Sequence, residues 1–170
     1  MTLITDHYFE EAYNHALTMA TSGAAKIDVL HYLAGAAEKI AGEGSVSSIL
    51  VLDENGLLRN GASPQLPTDY LQAIDGIAPD PKVGTCAAAA ATGTVVVTPD
   101  FCADGKWNEL RHLPIALGFT GAWSMPIKTP EGKVVGTFGT YFRERREPST
   151  QEIKGVEQLA RAACFVISAS

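Results

Sequence analysis

The chain has 170 residues, the size of one domain with one hydrophobic core. Hydrophobic residues make up 46% of it and charged residues 19%, a balance that excludes an intrinsically disordered chain. The net charge of -6 argues against a nucleic-acid partner, because such partners require lysine and arginine gathered on one face.

The sequence shows no membrane or export signal. Its start, Met1-Thr-Leu-Ile, lacks the pattern of a signal peptide, and no apolar stretch reaches the roughly 18 residues that a bilayer requires. The three cysteines, Cys86, Cys102 and Cys164, are odd in number and widely spaced, as in a reducing compartment. No metal site is predicted at His7, His15 and His31, the histidines of the helical region. We expect a cytoplasmic protein without a membrane partner.

Two helices are predicted before the first strand. Apolar residues recur on one helix face from about Asp6 to Thr21, and a second helix runs from about Ala25 to Ala41. The second helix has two apolar stripes, which predict two covered faces. Its extra stripe favours pairing with a second copy of the chain. That stripe consists of Val29, Leu33, Ala36 and Ile40.

The rest of the chain alternates short strands and helices. The pattern first predicts a strand over 46–52 and a returning strand over 57–60, then a helix opened by Pro64 and Pro67. Next come a short helix over 86–92 with Thr85 as N-cap, a strand over 94–98, and a helix from Trp107 that Pro114 ends just after His112. The last elements are strands over 121–129 and 133–142 and a helix from Pro148. This order predicts an α/β protein of the α+β type. It has a central antiparallel sheet of about five or six strands, with the terminal helices on one face. Short helices and loops form a pocket on the other face.

Three segments resemble one known family. They are Ser48-Ile-Leu-Val-Leu-Asp53, Pro99-Asp100 followed by Trp107, and Gly121-Ala-Trp-Ser-Met-Pro-Ile127 followed by Gly136-Thr-Phe138. From about Val46 to Ile167 the chain resembles a GAF domain of bacterial signalling proteins. The resemblance implies a pocket for a small ligand. It also divides the chain into N-terminal helices for dimerisation and signalling, residues 1–44, and the GAF sensor part with the C-terminal helix, residues 45–170, within one structural domain.

The resemblance leaves the ligand open, because members of the family bind cyclic nucleotides, bilins, haem, 2-oxo acids, amino acids or small anions. Bilin-binding members of the phytochrome type attach the bilin at a Cys-His pair, and no cysteine of this chain is directly followed by a histidine, so a covalent bilin is not expected. The Asn-Lys-Phe-Asp-Glu signature of cyclic-nucleotide members is also absent. No cofactor is identified.

Strand alternation and the resemblance select the candidate site residues. Neighbouring residues of a strand point to opposite faces, and serines line related pockets, so Ala122, Ser124 and Pro126 are assigned to the pocket and Trp123, Met125 and Ile127 to the helical side. The start of the short helix at Gly84 offers free amides to an anion, which makes a carboxylate or small anion the best guess. The ligand-binding candidates are Ser48, Thr85, Cys86, Ala87, Trp107, His112, Ala122, Ser124 and Tyr141.

The function expected from these observations is that of a sensor, not an enzyme. A small ligand binds, the terminal helices pair in a homodimer and relay the signal, and a kinase or another signalling protein receives it. One alternative is a dimerisation scaffold without a ligand. The other is an enzyme similar to free methionine sulfoxide reductase, since Cys86 resembles the first cysteine of that group and Cys102 is a candidate resolving cysteine. The segment Ile115–Phe119, however, has no cysteine at the position of that group's nucleophile.

Overall fold

The computed structural model describes the backbone of residues 2–169 and the side chains of residues 6–169, so predictions that include Met1 or Ser170 extend outside the described residues. Its elements are α1 (Thr2–Thr21), α2 (Lys26–Ala41), β1 (Val46–Leu52), β2 (Leu58–Ala62), α3 (Thr68–Ile74), α4 (Thr85–Thr92), β3 (Val96–Thr98), a 3-10 turn (Gly105–Trp107), α5 (His112–Ala116), β4 (Gly121–Lys128), β5 (Val134–Phe142) and α6 (Thr150–Ser168). The predicted element order is confirmed.

The strands form one antiparallel sheet. It has five strands in the order β2-β1-β5-β4-β3, so the long β4–β5 hairpin lies next to the β1–β2 hairpin. Ser124 of β4 pairs with Gly139 of β5, and Ser48 of β1 pairs with the same glycine from the other side. The α+β fold with an antiparallel sheet is therefore confirmed.

The sheet separates two cores. Trp123, Met125 and Ile127 pack with α1, α2 and α6 on one face, as strand alternation predicts. Ala122 and Tyr141 lie on the opposite face, among the aromatic residues of the loops and short helices. This second face, called the cavity face below, carries the candidate site.

Helix α6 begins with a capping box. The Ser149 hydroxyl accepts a hydrogen bond from the Glu152 amide, and the Glu152 carboxylate accepts one from the Ser149 amide. Further along this helix, Gly155 allows α1 to approach closely. A Cβ atom at Gly155 would lie 2.0 Å from Cε2 of Phe9, whose side chain is 1% exposed. The Phe9 ring therefore packs directly against the backbone of α6 at Gly155, in the space that any side chain there would occupy.

The extra stripe of α2 is covered within the chain. Val29, Leu33 and Ala36 are buried against α1, α6 and the sheet, so the extra stripe does not indicate pairing with a second copy. Ile27, at the start of the same helix, is 54% exposed, and Phe165 of α6 is 49% exposed. Among the described side chains of the terminal helices, these two are the large apolar ones that are exposed.

Three local predictions are wrong. Pro114 was expected to end a helix after His112, but α5 begins at His112, because proline is tolerated in the first turn of a helix. Thr85 was expected to be an N-cap, but Gly84 takes this position with a φ of 61°, a value that favours glycine. Strand β3 begins at Val96, two residues later than expected. In the part of the chain that is described, no helix is long and apolar enough to cross a membrane.

Candidate functional site

A small cavity lies between the cavity face of the sheet, helices α3 and α4, and the segment that follows the 3-10 turn. Its volume is about 30 Å³, room for about two groups of the size of a water molecule. Most of its wall is apolar. The lining residues are Leu50, Leu58, Tyr70, Ile74, Ile77, Val83, Gly84, Thr85, Cys86, Ala87, Trp107, Leu110 and Tyr141.

One wall of the cavity is fixed by a chain of hydrogen bonds. The Trp107 indole donates to the Thr85 hydroxyl at 2.8 Å, and Thr98 donates to the Asp104 carboxylate at 3.0 Å. Because the Thr98 hydrogen is used in this way, Thr85 is the donor in the Thr85–Thr98 bond of 3.0 Å. The Trp107 indole N–H and the Thr85 hydroxyl are thus satisfied by each other, and the Trp107 ring forms part of the cavity wall.

Asp104 anchors this chain. Burial alone would raise the pKa of its carboxyl, but hydrogen bonds from the Lys106 side chain and amide and from Thr98 prevail and lower the pKa below the ordinary 3.8. The carboxylate is therefore negative at neutral pH, and the neighbouring Lys106 ammonium, 2.9 Å away, balances its charge.

The start of α4 supplies free hydrogen-bond donors. Gly84 donates its amide to the Lys106 carbonyl at 2.8 Å, and no side chain caps the helix. The amides of Thr85, Cys86 and Ala87 are those that a helix start leaves without an intrahelical acceptor. They lie at the positive end of the helix dipole, where an anion or a carbonyl oxygen is stabilised. No lysine or arginine is among the residues that line the cavity.

Two tyrosines supply one further donor. The hydroxyls of Tyr70 and Tyr141 lie 2.7 Å apart, and both side chains are 4% exposed. Their mutual bond uses one of the two hydroxyl hydrogens. The other has no acceptor among the described residues, and both tyrosines line the cavity. Burial raises the pKa of both phenols well above the ordinary value of 10.0, so the donor persists at neutral pH.

Cys86 separates the cavity from two buried hydroxyls. Burial raises the pKa of its thiol, while hydrogen bonding to Ser124 and Thr137 acts in the opposite direction. The thiol sulfur lies over Gly139, where an added Cβ would be 3.1 Å from it. Ser124 and Thr137 are each 0% exposed, and among the described residues their hydroxyls have no hydrogen-bond partner other than this weakly bonding thiol.

Five of the nine candidate residues line the cavity: Thr85, Cys86, Ala87, Trp107 and Tyr141. The other four do not. His112 is exposed at the start of α5, and Ala122 packs beneath the aromatic cluster. Ser48 donates to Ser63 at 2.7 Å, because Ser63 itself donates to Asn60. Ser124 lies behind Cys86, separated from the cavity by the thiol.

Sequence reasoning missed two polar residues near the cavity. Tyr70 lies one helical turn before Ile74, and this i, i+4 spacing already indicated a shared face. Thr137 lies two residues before Gly139 and four before Tyr141, so strand alternation from Tyr141 would have found it. Both were within reach of the pattern rules applied to the other strands.

The remaining cysteines lie away from the cavity lining. Cys102 is exposed in the loop after β3, Cys164 is buried in α6, and all three cysteines are free thiols. Over the described residues no group of three or more histidine, cysteine, aspartate or glutamate side chains is placed to hold a metal ion.

Comparison with known proteins identifies the family. The model of the GAF domain family matches residues 26–168 of the chain. The chain belongs to the GAF domain family. This GAF domain is 33% identical over 155 residues to the methyl sulfide methyltransferase-associated sensor of Methanosarcina acetivorans. The match covers 91% of the chain and 15% of that sensor, so the chain spans a small part of its relative's length.

Solved structures show the same fold. A domain of a two-component sensor histidine kinase protein from Sinorhizobium meliloti superposes with a TM-score of 0.67 at 22% identity, over 81% of this chain and 87% of that one. Free methionine-R-sulfoxide reductase from Neisseria meningitidis superposes with a TM-score of 0.68 at 16% identity, over 94% and 87%. At these identities the likeness establishes the GAF fold alone.

Proposed function

We propose that this GAF domain is a non-enzymatic sensory module that binds a small carboxylate or a similar anion and relays binding through its terminal helices. The observation that carries this proposal is the cavity itself, with apolar walls and free donors converging from the start of α4 and from the tyrosine pair. Such a combination is typical of small-molecule sites.

The donors favour an acceptor-bearing ligand. Backbone amides at the positive end of α4 and one tyrosine hydroxyl can all donate to oxygen atoms of a carboxylate. The lining contains no carboxylate that could receive an ammonium group. A short carboxylic acid therefore fits this lining better than an amino acid or a cation.

The size of the cavity couples binding to movement. A volume of about 30 Å³ is smaller than an organic acid with an apolar chain, so the ligand must displace part of the wall. The Trp107–Phe119 segment contributes no strand to the sheet, and we expect it to shift. Binding would then favour the conformation with the displaced segment.

Two arginines after β5 provide a route from this segment to the helices. The Arg143 guanidinium lies 4.5 Å from the centre of the Phe119 ring and donates to the carbonyls of Leu117 and Gly44, at 2.8 and 3.1 Å. Gly44 connects α2 to β1. A shift of the Leu117–Phe119 loop is therefore passed directly to the end of α2.

Arg146 links the same region to α6. It donates to the carbonyl of Ala41, the last residue of α2, at 3.0 Å, and forms an ion pair of 2.8 Å with Glu152 in the first turn of α6. Arg143 and Arg146 together connect the Leu117–Phe119 loop with helices α2 and α6. We propose that a kinase or another signalling protein receives the signal, in keeping with the sensor names of two similar proteins.

A homodimer through the terminal helices is part of the proposal. Exposed Ile27 and Phe165 support it, because large apolar side chains are stabilised when a partner covers them. The same contact would serve a scaffold without a ligand, the second candidate function. Reductase chemistry has less support, because burial raises the pKa of the Cys86 thiol and Cys102 does not line the cavity.

Calorimetry and thermal melting with propanoate test the function. Propanoate should bind and raise the melting temperature by mass action. Ala87→Leu fills the cavity and should abolish both effects, while Ala91→Leu changes an exposed residue of the same helix and should preserve them. Hydrogen exchange should slow or speed at the ends of α2 and α6 when propanoate binds. Equal binding by the two variants would refute the cavity as the binding site, and unchanged exchange with intact binding would refute the relay.

A further inference from the structure

The hydroxyls of Ser124 and Thr137 are buried, and among the described residues their one hydrogen-bonding neighbour is the Cys86 thiol, a weak donor and acceptor. Both residues are 0% exposed, and they lie on adjacent strands of the cavity face, on either side of the position that Gly139 leaves open. A buried hydroxyl without a strong hydrogen-bond partner lowers stability, whereas alanine or valine at the same position has no polar group to satisfy. Two such hydroxyls side by side therefore indicate hydrogen bonds that something other than the folded chain completes.

The Cys86 side chain lies between these hydroxyls and the cavity. Its sulfur occupies the space over Gly139 and faces both hydroxyls, and Cys86 itself lines the cavity. A cysteine side chain has one torsion with three staggered positions. Rotation of the thiol away from Gly139 would join the two hydroxyls to the cavity.

We propose that Ser124 and Thr137 form an inner subsite that binds a hydroxyl group of the ligand, and that Cys86 covers this subsite until the ligand enters. The inference rests on the proposed function and extends it. The carboxylate lies at the start of α4, and the inner subsite receives a second oxygen that both donates and accepts, as serine and threonine hydroxyls do. The ligand class is then a short hydroxylated carboxylic acid.

Calorimetry with matched acids tests the subsite. The wild-type protein should bind 2-hydroxypropanoate or 3-hydroxypropanoate about 2- to 10-fold more tightly than propanoate, the value of one added hydrogen bond. This preference should disappear in Ser124→Ala and in Thr137→Val. In Cys86→Ala, which removes the cover, it should persist or increase.

Thermal melting without any ligand gives an independent readout. Thr137→Val removes a buried hydroxyl whose one hydrogen-bonding neighbour among the described residues is a thiol, and it should raise the melting temperature by about 2 to 4 °C. Thr140→Val is the matched control, because Thr140 lies on the same strand, is equally buried and bonds to Ser47 at 3.4 Å on the opposite face. This control should lower the melting temperature.

The outcomes separate the two proposals. If propanoate and the hydroxylated acids bind with equal affinity, the inner subsite is wrong and the proposed function stands. If none of the acids binds, both are wrong. A fall in the melting temperature of Thr137→Val would also overturn the subsite, because the hydroxyl would then be bonded within the fold.

Discussion

Gly155 offers a sharp test of how the N-terminal helix is held. In the Gly155→Ala variant the new methyl group would lie 2.0, 2.2 and 2.3 Å from Cε2, Cδ2 and Cζ of Phe9, much closer than carbon atoms can approach. Overpacking of this kind costs about 1 to 3 kcal/mol. Replacing glycine by alanine inside a helix returns about 0.5 to 1 kcal/mol. We expect a net loss of roughly 1 to 2 kcal/mol in the free energy of unfolding.

Gly35 is the matched control. It lies inside α2, and an added Cβ meets nothing within 4 Å, so Gly35→Ala should stabilise the protein by about 0.5 to 1 kcal/mol. The two identical substitutions thus have opposite expected signs. Urea denaturation followed by far-ultraviolet circular dichroism measures both.

A second background completes this test. In Phe9→Ala the ring is absent, so Gly155→Ala should change from destabilising to stabilising by about 0.5 to 1 kcal/mol. A double-mutant cycle isolates this coupling. If Gly155→Ala stabilises the protein in the wild-type background, the close packing of the Phe9 ring against Gly155 is wrong.

Three further results are expected. Iodoacetamide should modify exposed Cys102 faster than half-buried Cys86 and buried Cys164, as peptide mass spectrometry can follow, and equal rates at Cys102 and Cys86 would contradict the raised pKa of the Cys86 thiol. Arg143→Met should lower the free energy of unfolding by roughly 1 kcal/mol and Arg145→Met, an exposed neighbour, should not, since Arg143 donates to two backbone carbonyls. Because the pKa of Asp104 is lowered in the folded state, its contribution is present above the ordinary 3.8 and lost as the pH falls through the folded value, so denaturation curves should show a smaller acid loss for Asp104→Asn.

The sheet and its two faces were predictable from sequence because their signals are local. The β4–β5 hairpin follows from two long apolar runs joined by Pro130-Glu-Gly132, and alternation along β4 correctly separates Trp123 from Ser124. Helix α6 likewise follows from its apolar spacing. In each case neighbouring residues carry the pattern.

The site was harder to predict because its geometry depends on contacts between distant segments. Thr85 was expected to cap a helix or bind a ligand, but its hydroxyl is used by Trp107 and Thr98, residues that only the fold brings close. His112 was expected in the pocket as one of the few donors that a polar ligand requires, whereas α5 begins at His112 and leaves the histidine exposed. Local sequence patterns do not indicate such contacts between residues that are far apart in the chain.

The two tryptophans lie on opposite faces of the same sheet. Trp107 forms part of the cavity wall and is held by Thr85, while Trp123 is buried beneath the terminal helices. These are the two tryptophans of the whole chain. The protein therefore carries two intrinsic fluorophores. In single-tryptophan variants, Trp107 would report ligand binding at the cavity and Trp123 would report the resulting change at the terminal helices.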